Sequence, residues 1–158
     1  MSVFSDASFA NLSGGASQLG FIIFMHDDVG NSAPLSWASK KARRVARSTL
    51  TAETLAAVEA IDAAQVSKKI LEEVLIREIP AINLYVDNKS LYDTASTSNV
   101  IADKRLMIDM AAVREMIDRD ELIMKWISSD KQLADVLTKS GVDRRKLTDV
   151  LSSGLIEL

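Results

Sequence analysis

The 158-residue sequence contains no cysteine, which excludes disulfides and thiolate metal sites and permits a reducing compartment without demonstrating one. Two prolines and six glycines are too few for a linker-rich chain, and neither a low-complexity tract nor an internal repeat is present. Long apolar runs are missing as well. The stretch Leu19 to Met25 falls far short of the roughly 20 residues that cross a bilayer, so no membrane partner is expected. The start lacks the basic and apolar blocks of a secretory signal, and Met1 stands immediately before an expected strand, as in a domain cut from a longer chain. A net charge of −3 offers no global attraction to a polyanion, so any nucleic-acid surface must be local.

What is present suffices for one core. The length and the 47% hydrophobic content suit a single domain over residues 1–158, with a core expected at 2–139 and a last amphipathic helix at about 143–151. Ser2 to Ser5 reads as a short strand ending at Asp6. Gly14 and Gly15 mark a turn before a buried strand from Gln18 to Met25, and Asp27 to Pro34 forms a hairpin connection to a third strand around Leu35 to Ser39. Ser48, Thr49 and Thr51 can cap a long helix carrying Leu55, Val58, Ile61, Val66, Ile70 and Val74 near helical spacing, closed off by Pro80. Then follow a strand from Ile82 to Val86, a brief helix capped within Asn88 to Ser90, a helix from Leu106 to Ile117, a strand from Leu122 to Ile127, and a further helix beginning at Gln132 to Leu137. This order predicts an α/β fold with a mixed five-stranded sheet, three antiparallel strands and then parallel ones, flanked by helices.

Four acids fall at telling places. Asp6 ends the first strand, Glu53 lies in the first turn of the long helix, Asp87 follows the fourth strand, and Asp135 sits in a late helix. Strand ends and adjoining helix turns at one edge of an open sheet are where such folds gather ligands. Oxygen-rich sites suit magnesium or manganese, and a pair of such ions can activate water and stabilise the leaving oxygen of a phosphodiester. Converging carboxylates repel one another unless cations neutralise them. With 22 acidic residues in the chain, some must fall near strand ends by chance, so the specific signal lies in their surrounding wording.

That wording occupies seven stretches: Ser5-Asp6-Ala7-Ser8-Phe9-Ala10; Ser17-Gln18 with Gly20; Leu35-Ser36-Trp37-Ala38-Ser39-Lys40-Lys41; Arg47-Ser48-Thr49-Leu50-Thr51-Ala52-Glu53; Val86-Asp87-Asn88-Lys89-Ser90; Lys104-Arg105-Leu106 with Ile108-Asp109 and Arg114-Glu115; and Asp130 through Lys139. From about Val3 to Lys139 the chain thereby resembles the ribonuclease H domain at the end of copia-type retrotransposon polyproteins. The resemblance implies a ribonuclease H-like fold whose catalytic and metal-holding acids are Asp6, Glu53, Asp87 and Asp135, with two Mg2+ ions for which Mn2+ can substitute. It further implies that Asp6 bridges both ions, that Glu53 and Asp87 hold the ion on the leaving-group side, and that Asp135 holds the ion that prepares the water. The implied activity is cleavage of the RNA strand of an RNA–DNA hybrid, leaving 5′-phosphate and 3′-hydroxyl ends. The implied partner is the reverse transcriptase domain of the same polyprotein, in a cytoplasmic retrotransposon particle or the nucleus.

Departures from the wider ribonuclease H pattern also count. Cellular and retroviral enzymes carry a histidine in a flexible loop ahead of the last aspartate, whereas Ser128 to Lys131 is short and has none. The one histidine, His26, follows the second strand, poorly placed for proton transfer at the acids and expected to be solvated. The basic helical insertion of some cellular enzymes is also missing. Lys40, Lys41, Arg43, Arg44 and Arg47 form a basic run; such runs are commonly solvated faces, yet this one adjoins the proposed acids and so is a candidate phosphate contact. Ser48 and Thr49 can cap the helix, meet an RNA 2′-hydroxyl, or both, and Asn88 is similarly placed beside Asp87. Trp37 and Trp126 lie among apolar residues and are expected in the core. Two rival functions share the frame: an inactive module that binds nucleic acid or supports a polymerase, and another enzyme of the same fold, such as an integrase or junction resolvase. The four acids oppose the first rival, and the absence of a histidine–cysteine zinc motif opposes the second.

Overall fold

The structure, a computed structural model, describes residues 1–97, 101 and 103–157. Five strands, β1 (Ser2–Leu12), β2 (Ala16–His26), β3 (Ser32–Lys41), β4 (Ile82–Val86) and β5 (Leu122–Trp126), form one sheet in the order β3-β2-β1-β4-β5. β1, β2 and β3 pair antiparallel, whereas β1–β4 and β4–β5 pair parallel. This is the mixed sheet that the sequence predicts. Among the described residues five α-helices accompany it: α1 (Thr49–Leu75), α2 (Lys89–Ser96), α3 (Lys104–Asp118), α4 (Asp135–Thr138) and α5 (Arg145–Ser153).

The central strands are buried on both faces, which is why Leu19 to Met25 reads as a continuous apolar run. On one face Val3, Phe21, Ile23 and Leu84 meet Ala57, Ala60, Ile61 and Ala64 of α1. The alanines let the helix lie close to the sheet. On the other face Phe4 stacks on Tyr85 with centroids 4.9 Å apart and meets the edge of Phe24, closed over by Ile127, Leu133, Ala134 and Val150.

Several expected boundaries shift for identifiable reasons. β1 does not stop at Asp6; it continues to Leu12, because Asp6 pairs with Gly20 inside the antiparallel ladder. A local irregularity around Ala10, whose φ is 52°, precedes a 3-10 turn at Ser13–Gly15 where Gly14 and Gly15 both take positive φ. β3 extends to Lys41, so Lys40 and Lys41 are strand residues rather than loop. α1 ends at Leu75 with Ile76 left-handed, four residues before Pro80. In its second half Ala64 and Leu71 face the core, whereas Val66, Ile70 and Val74 lie along another side of the helix and are exposed despite their helical spacing. The helix expected to begin at Gln132 starts instead at Asp135, because the Gln132 side chain is engaged with two strands. α5 begins two residues later than expected and stops where Gly154 turns left-handed.

Trp37 and Trp126 are not core residues: they are 63% and 47% exposed. β3 and β5 are the two edges of the sheet, where cover on each face is partial. The Trp126 indole donates to the Asp87 carbonyl at 3.0 Å, with Lys89 over its ring.

Candidate metal and nucleic-acid site

Strand register brings the first two acids together. β1 and β4 pair in parallel through Ser2 with Asn83, Val3 with Leu84 and Phe4 with Tyr85. Continuing that register by two residues sets Asp6 level with Asp87, just past the end of β4. The strands part after Phe4 and Tyr85, and the buried Gln132 amide fills the gap. Its nitrogen donates to the carbonyls of Ser5 (3.0 Å) and Tyr85 (3.4 Å), while its oxygen accepts from the Ala134 amide at 3.1 Å. One side chain therefore fixes both strand ends and the entry to α4, whose first residue is Asp135. The outcome is a group in which Asp6, Asp87 and Asp135 each offer a carboxylate oxygen, all within 4.8 Å of one another.

α4 has only four residues and cannot hold itself in place by helix formation alone. It is pinned by the sheet. Gly20, opposite Asp6, leaves the space it needs: a Cβ there would lie 2.7 Å from Thr138 Cγ2 and 2.9 Å from Leu137 Cβ. Asn11 donates to the Thr138 carbonyl at 3.3 Å, and Ser39 and Gln18 donate to the Leu137 carbonyl.

Glu53, 5% exposed, enters from α1, in its second turn rather than the first. Ser48 caps that helix by accepting from the Thr51 amide at 3.1 Å. The Glu53 carboxyl accepts from the Ala7 backbone, and burial, followed by the charges of Asp6 and Asp87, pushes it up to about 9. It thus adjoins the three aspartates electrostatically, although it lies outside the tight oxygen group. Asp6, fully buried, is raised to about 6 by burial, against the opposing pull of Thr138 and Lys139 and with a smaller push from Asp135 and Asp87.

Thr138 and Lys139 are parts of the site that the sequence reading leaves without a role. The Thr138 hydroxyl donates to Asp6 Oδ2. The Lys139 ammonium donates to Asp6 Oδ1 at 3.2 Å and to Asp135 Oδ1 at 2.7 Å. Burial works against that ammonium, but its bonds to Asp135 and Asp6 outweigh it and hold the group above the usual lysine range. The available signal is the i, i+4 spacing of Asp135 and Lys139, which places both on one helix face.

The basic run is only partly free for a polyanion. Lys40 is ion-paired with Glu59 and Arg44 with Asp109, while Lys41, Arg43 and Arg47 are exposed. Ser48 and Asn88 both act as helix caps, Asn88 accepting from the Leu91 amide at 2.9 Å; Thr49 is exposed in the first turn of α1. His26 is not simply solvated. It is half-buried, bonded to Ser2 Oγ at 2.8 Å, and depressed by burial. It stands six positions along β2 from Gly20, roughly 20 Å from the acids at strand spacing. The oxygen-only donor set of the acids suits hard divalent cations. Among the described residues no helix is long and apolar enough to cross a membrane.

No family model matches the chain. In sequence it is 33% identical over 106 residues, 66% of its length, to the retrovirus-related Pol polyprotein from transposon TNT 1-94 of Nicotiana tabacum. It is 30% identical over 138 residues, 86% of its length, to that from transposon RE1 of Arabidopsis thaliana. The chain spans only 8% and 9% of those two relatives. In structure it resembles ribonuclease H1 of the archaeon Halobacterium salinarum, with a TM-score of 0.65 at 16% identity over 87% of this chain and 92% of that one. It also resembles LC11-RNase H1 solved in complex with an RNA/DNA hybrid, with a TM-score of 0.63 at 17% identity over 91% and 97% of the two chains.

Proposed function

We propose that this chain, a ribonuclease H domain of the retrovirus-related Pol kind, is an endoribonuclease that cuts the RNA strand of RNA–DNA hybrids with two divalent metal ions. It would act within a copia-type polyprotein in a cytoplasmic particle, removing template RNA beside its reverse transcriptase. The observation that carries this is the meeting of Asp6, Asp87 and Asp135 at the point where the parallel and antiparallel halves of the sheet adjoin.

Magnesium or manganese, when bound, would supply an activated water and charge stabilisation at the leaving oxygen. Asp6 offers oxygens from the floor of the site, Asp87 and Asp135 flank it, and Glu53 would add a fourth carboxylate after losing its proton. Gln132, Gly20 and the bonds to the Leu137 and Thr138 carbonyls hold these groups in place before any ligand arrives, a preorganisation that such chemistry rewards. Exposed Lys41, Arg43 and Arg47 would meet phosphates, with the pairs of Lys40 and Arg44 opening or remaining as struts. Ser48 and Thr49 stand about one helical turn before Glu53, and Asn88 follows Asp87; there they would meet 2′-hydroxyls of a hybrid, read by shape rather than base sequence.

The rival, a module that only binds nucleic acid, is favoured by one feature: Lys139 already neutralises part of the acidic group. Labelled hybrid separates the two. The enzyme predicts cleavage in Mg2+ that stops with EDTA, and a loss of at least about a hundredfold in Asp87→Asn. Binding without cleavage in the unaltered protein selects the rival, and preferential cutting of duplex DNA selects a different nuclease of this fold.

A further inference from the structure

Lys139 occupies a place that a hydrolytic metal would need. Its ammonium lies between Asp6 Oδ1 and Asp135 Oδ1, at 3.2 and 2.7 Å. A divalent ion bridging those two oxygens would sit roughly 2–2.5 Å from each, within the volume the ammonium now fills. Like charges exclude joint occupancy as firmly as space does.

The arrangement also completes Asp6 without any metal. A fully buried carboxylate lacking partners is costly, yet here the Thr138 hydroxyl serves one oxygen and Lys139 the other. The lysine does not arrive there by chance mobility. The Lys139 amide donates to the Asp135 carbonyl at 2.9 Å, and the two preceding carbonyls are tied to Asn11, Gln18 and Ser39. That anchorage directs the side chain at the acids, whereas its 36% exposure leaves a way out to solvent.

We propose that Lys139 is a built-in counter-ion: it holds the position between Asp6 and Asp135 in the metal-free protein and must be expelled for a divalent ion to enter. This rests on the acidic group being a divalent-metal site, and it adds that metal affinity is set by competition with the chain's own cation. The consequence is opposite in sign to that of a residue that assists metal binding. Removing Lys139 tightens the metal while loosening the metal-free fold.

The test needs no nucleic acid. Mn2+ is titrated calorimetrically into the unaltered protein, Lys139→Gln and Lys139→Arg, and melting is recorded for each in EDTA and in Mn2+. Lys139→Gln is expected to bind Mn2+ roughly tenfold more tightly, the size of effect that losing such charge-assisted bonds produces, and to melt lower in EDTA. Lys139→Arg, which keeps the cation, is expected to stay close to the unaltered protein. Equal or weaker Mn2+ affinity in Lys139→Gln overturns the counter-ion while leaving the metal site standing. Failure of every protein to bind Mn2+ overturns both. Should Lys139→Gln not fold, Mg2+ titration of the unaltered protein, followed through the 15N ammonium resonance of Lys139, decides. Loss of that protected signal on metal binding supports displacement, and its persistence in the metal-saturated protein refutes it.

Discussion

Glu53 is the residue whose chemistry departs most from its ordinary behaviour. Its carboxyl is pushed up to about 9 by burial and by Asp6 and Asp87, and Asp6 is raised to about 6. Both folded values lie above those of the unfolded chain. The native state therefore keeps protons that the unfolded chain has released. The stability this contributes is complete below about pH 4, and it is lost as pH rises, through about 6 for Asp6 and about 9 for Glu53. In EDTA the melting temperature should fall steadily between about pH 5 and pH 9. Glu53→Gln, neutral at every pH, should flatten most of that slope and gain at least about 1 kcal/mol at about pH 8, because a tenfold change in a protonation equilibrium corresponds to about 1.4 kcal/mol. Thermal melts across that range check it; a slope unchanged by the substitution would show that Glu53 is ionised in the metal-free protein. The wording of the sequence singles out Asp6, Asp87 and Asp135, which the fold brings together, and Glu53, whose carboxyl feels the charges of Asp6 and Asp87. The protonated state of Glu53 is not legible there, because it comes from burial and from neighbours 47 and 34 residues away in the chain. Lys139 escapes a sequence reading for a related reason: only the folded α4 turns an ordinary i, i+4 pair toward Asp6.

Among the strands and α-helices, α4 is the smallest and governs the site most directly. Its four residues present Asp135 and Thr138, and its position depends on the missing side chain of Gly20. Gly20→Ala would force Leu137 and Thr138 away from β2, since Cβ contacts under 3 Å cannot persist. Overpacking of this kind costs about 1–3 kcal/mol. Urea denaturation is expected to show that loss, with hybrid cleavage falling further than the loss of folded protein explains. Unchanged cleavage would show that α4 tolerates displacement from Asp6. Strands such as Ile82–Val86 are readable to the residue because apolar β-formers are bounded by polar residues or proline. β1 reads too short because a buried acid within a strand looks like a terminus, and the edge tryptophans read as core because pattern does not tell an edge strand from a central one.

At the level of the whole molecule, the proposed function requires a chain with net charge −3 to hold a polyanion. A local field would meet that requirement, and Lys41, Arg43 and Arg47 are exposed cations just ahead of α1. Replacing all three with Gln should weaken hybrid binding and reduce the slope of log affinity against log salt by about one unit per lost phosphate contact. Binding measured between low and moderate salt checks this, and an unaltered slope would place the nucleic-acid face elsewhere. The mixed pairing is legible in the sequence because three hairpin-linked strands precede two strands separated by helices, whereas the lateral order β3-β2-β1-β4-β5 emerges only in the structure.

The proposed chemistry depends on distant carboxylates forming one divalent-metal site. Anomalous diffraction from crystals soaked in Mn2+ tests that most directly. The expected result is anomalous density roughly 2–2.5 Å from oxygens of Asp6, Asp87 and Asp135, with Lys139 withdrawn. Manganese bound only at other surface acids, with Lys139 still bridging Asp6 and Asp135 at saturating Mn2+, would contradict it.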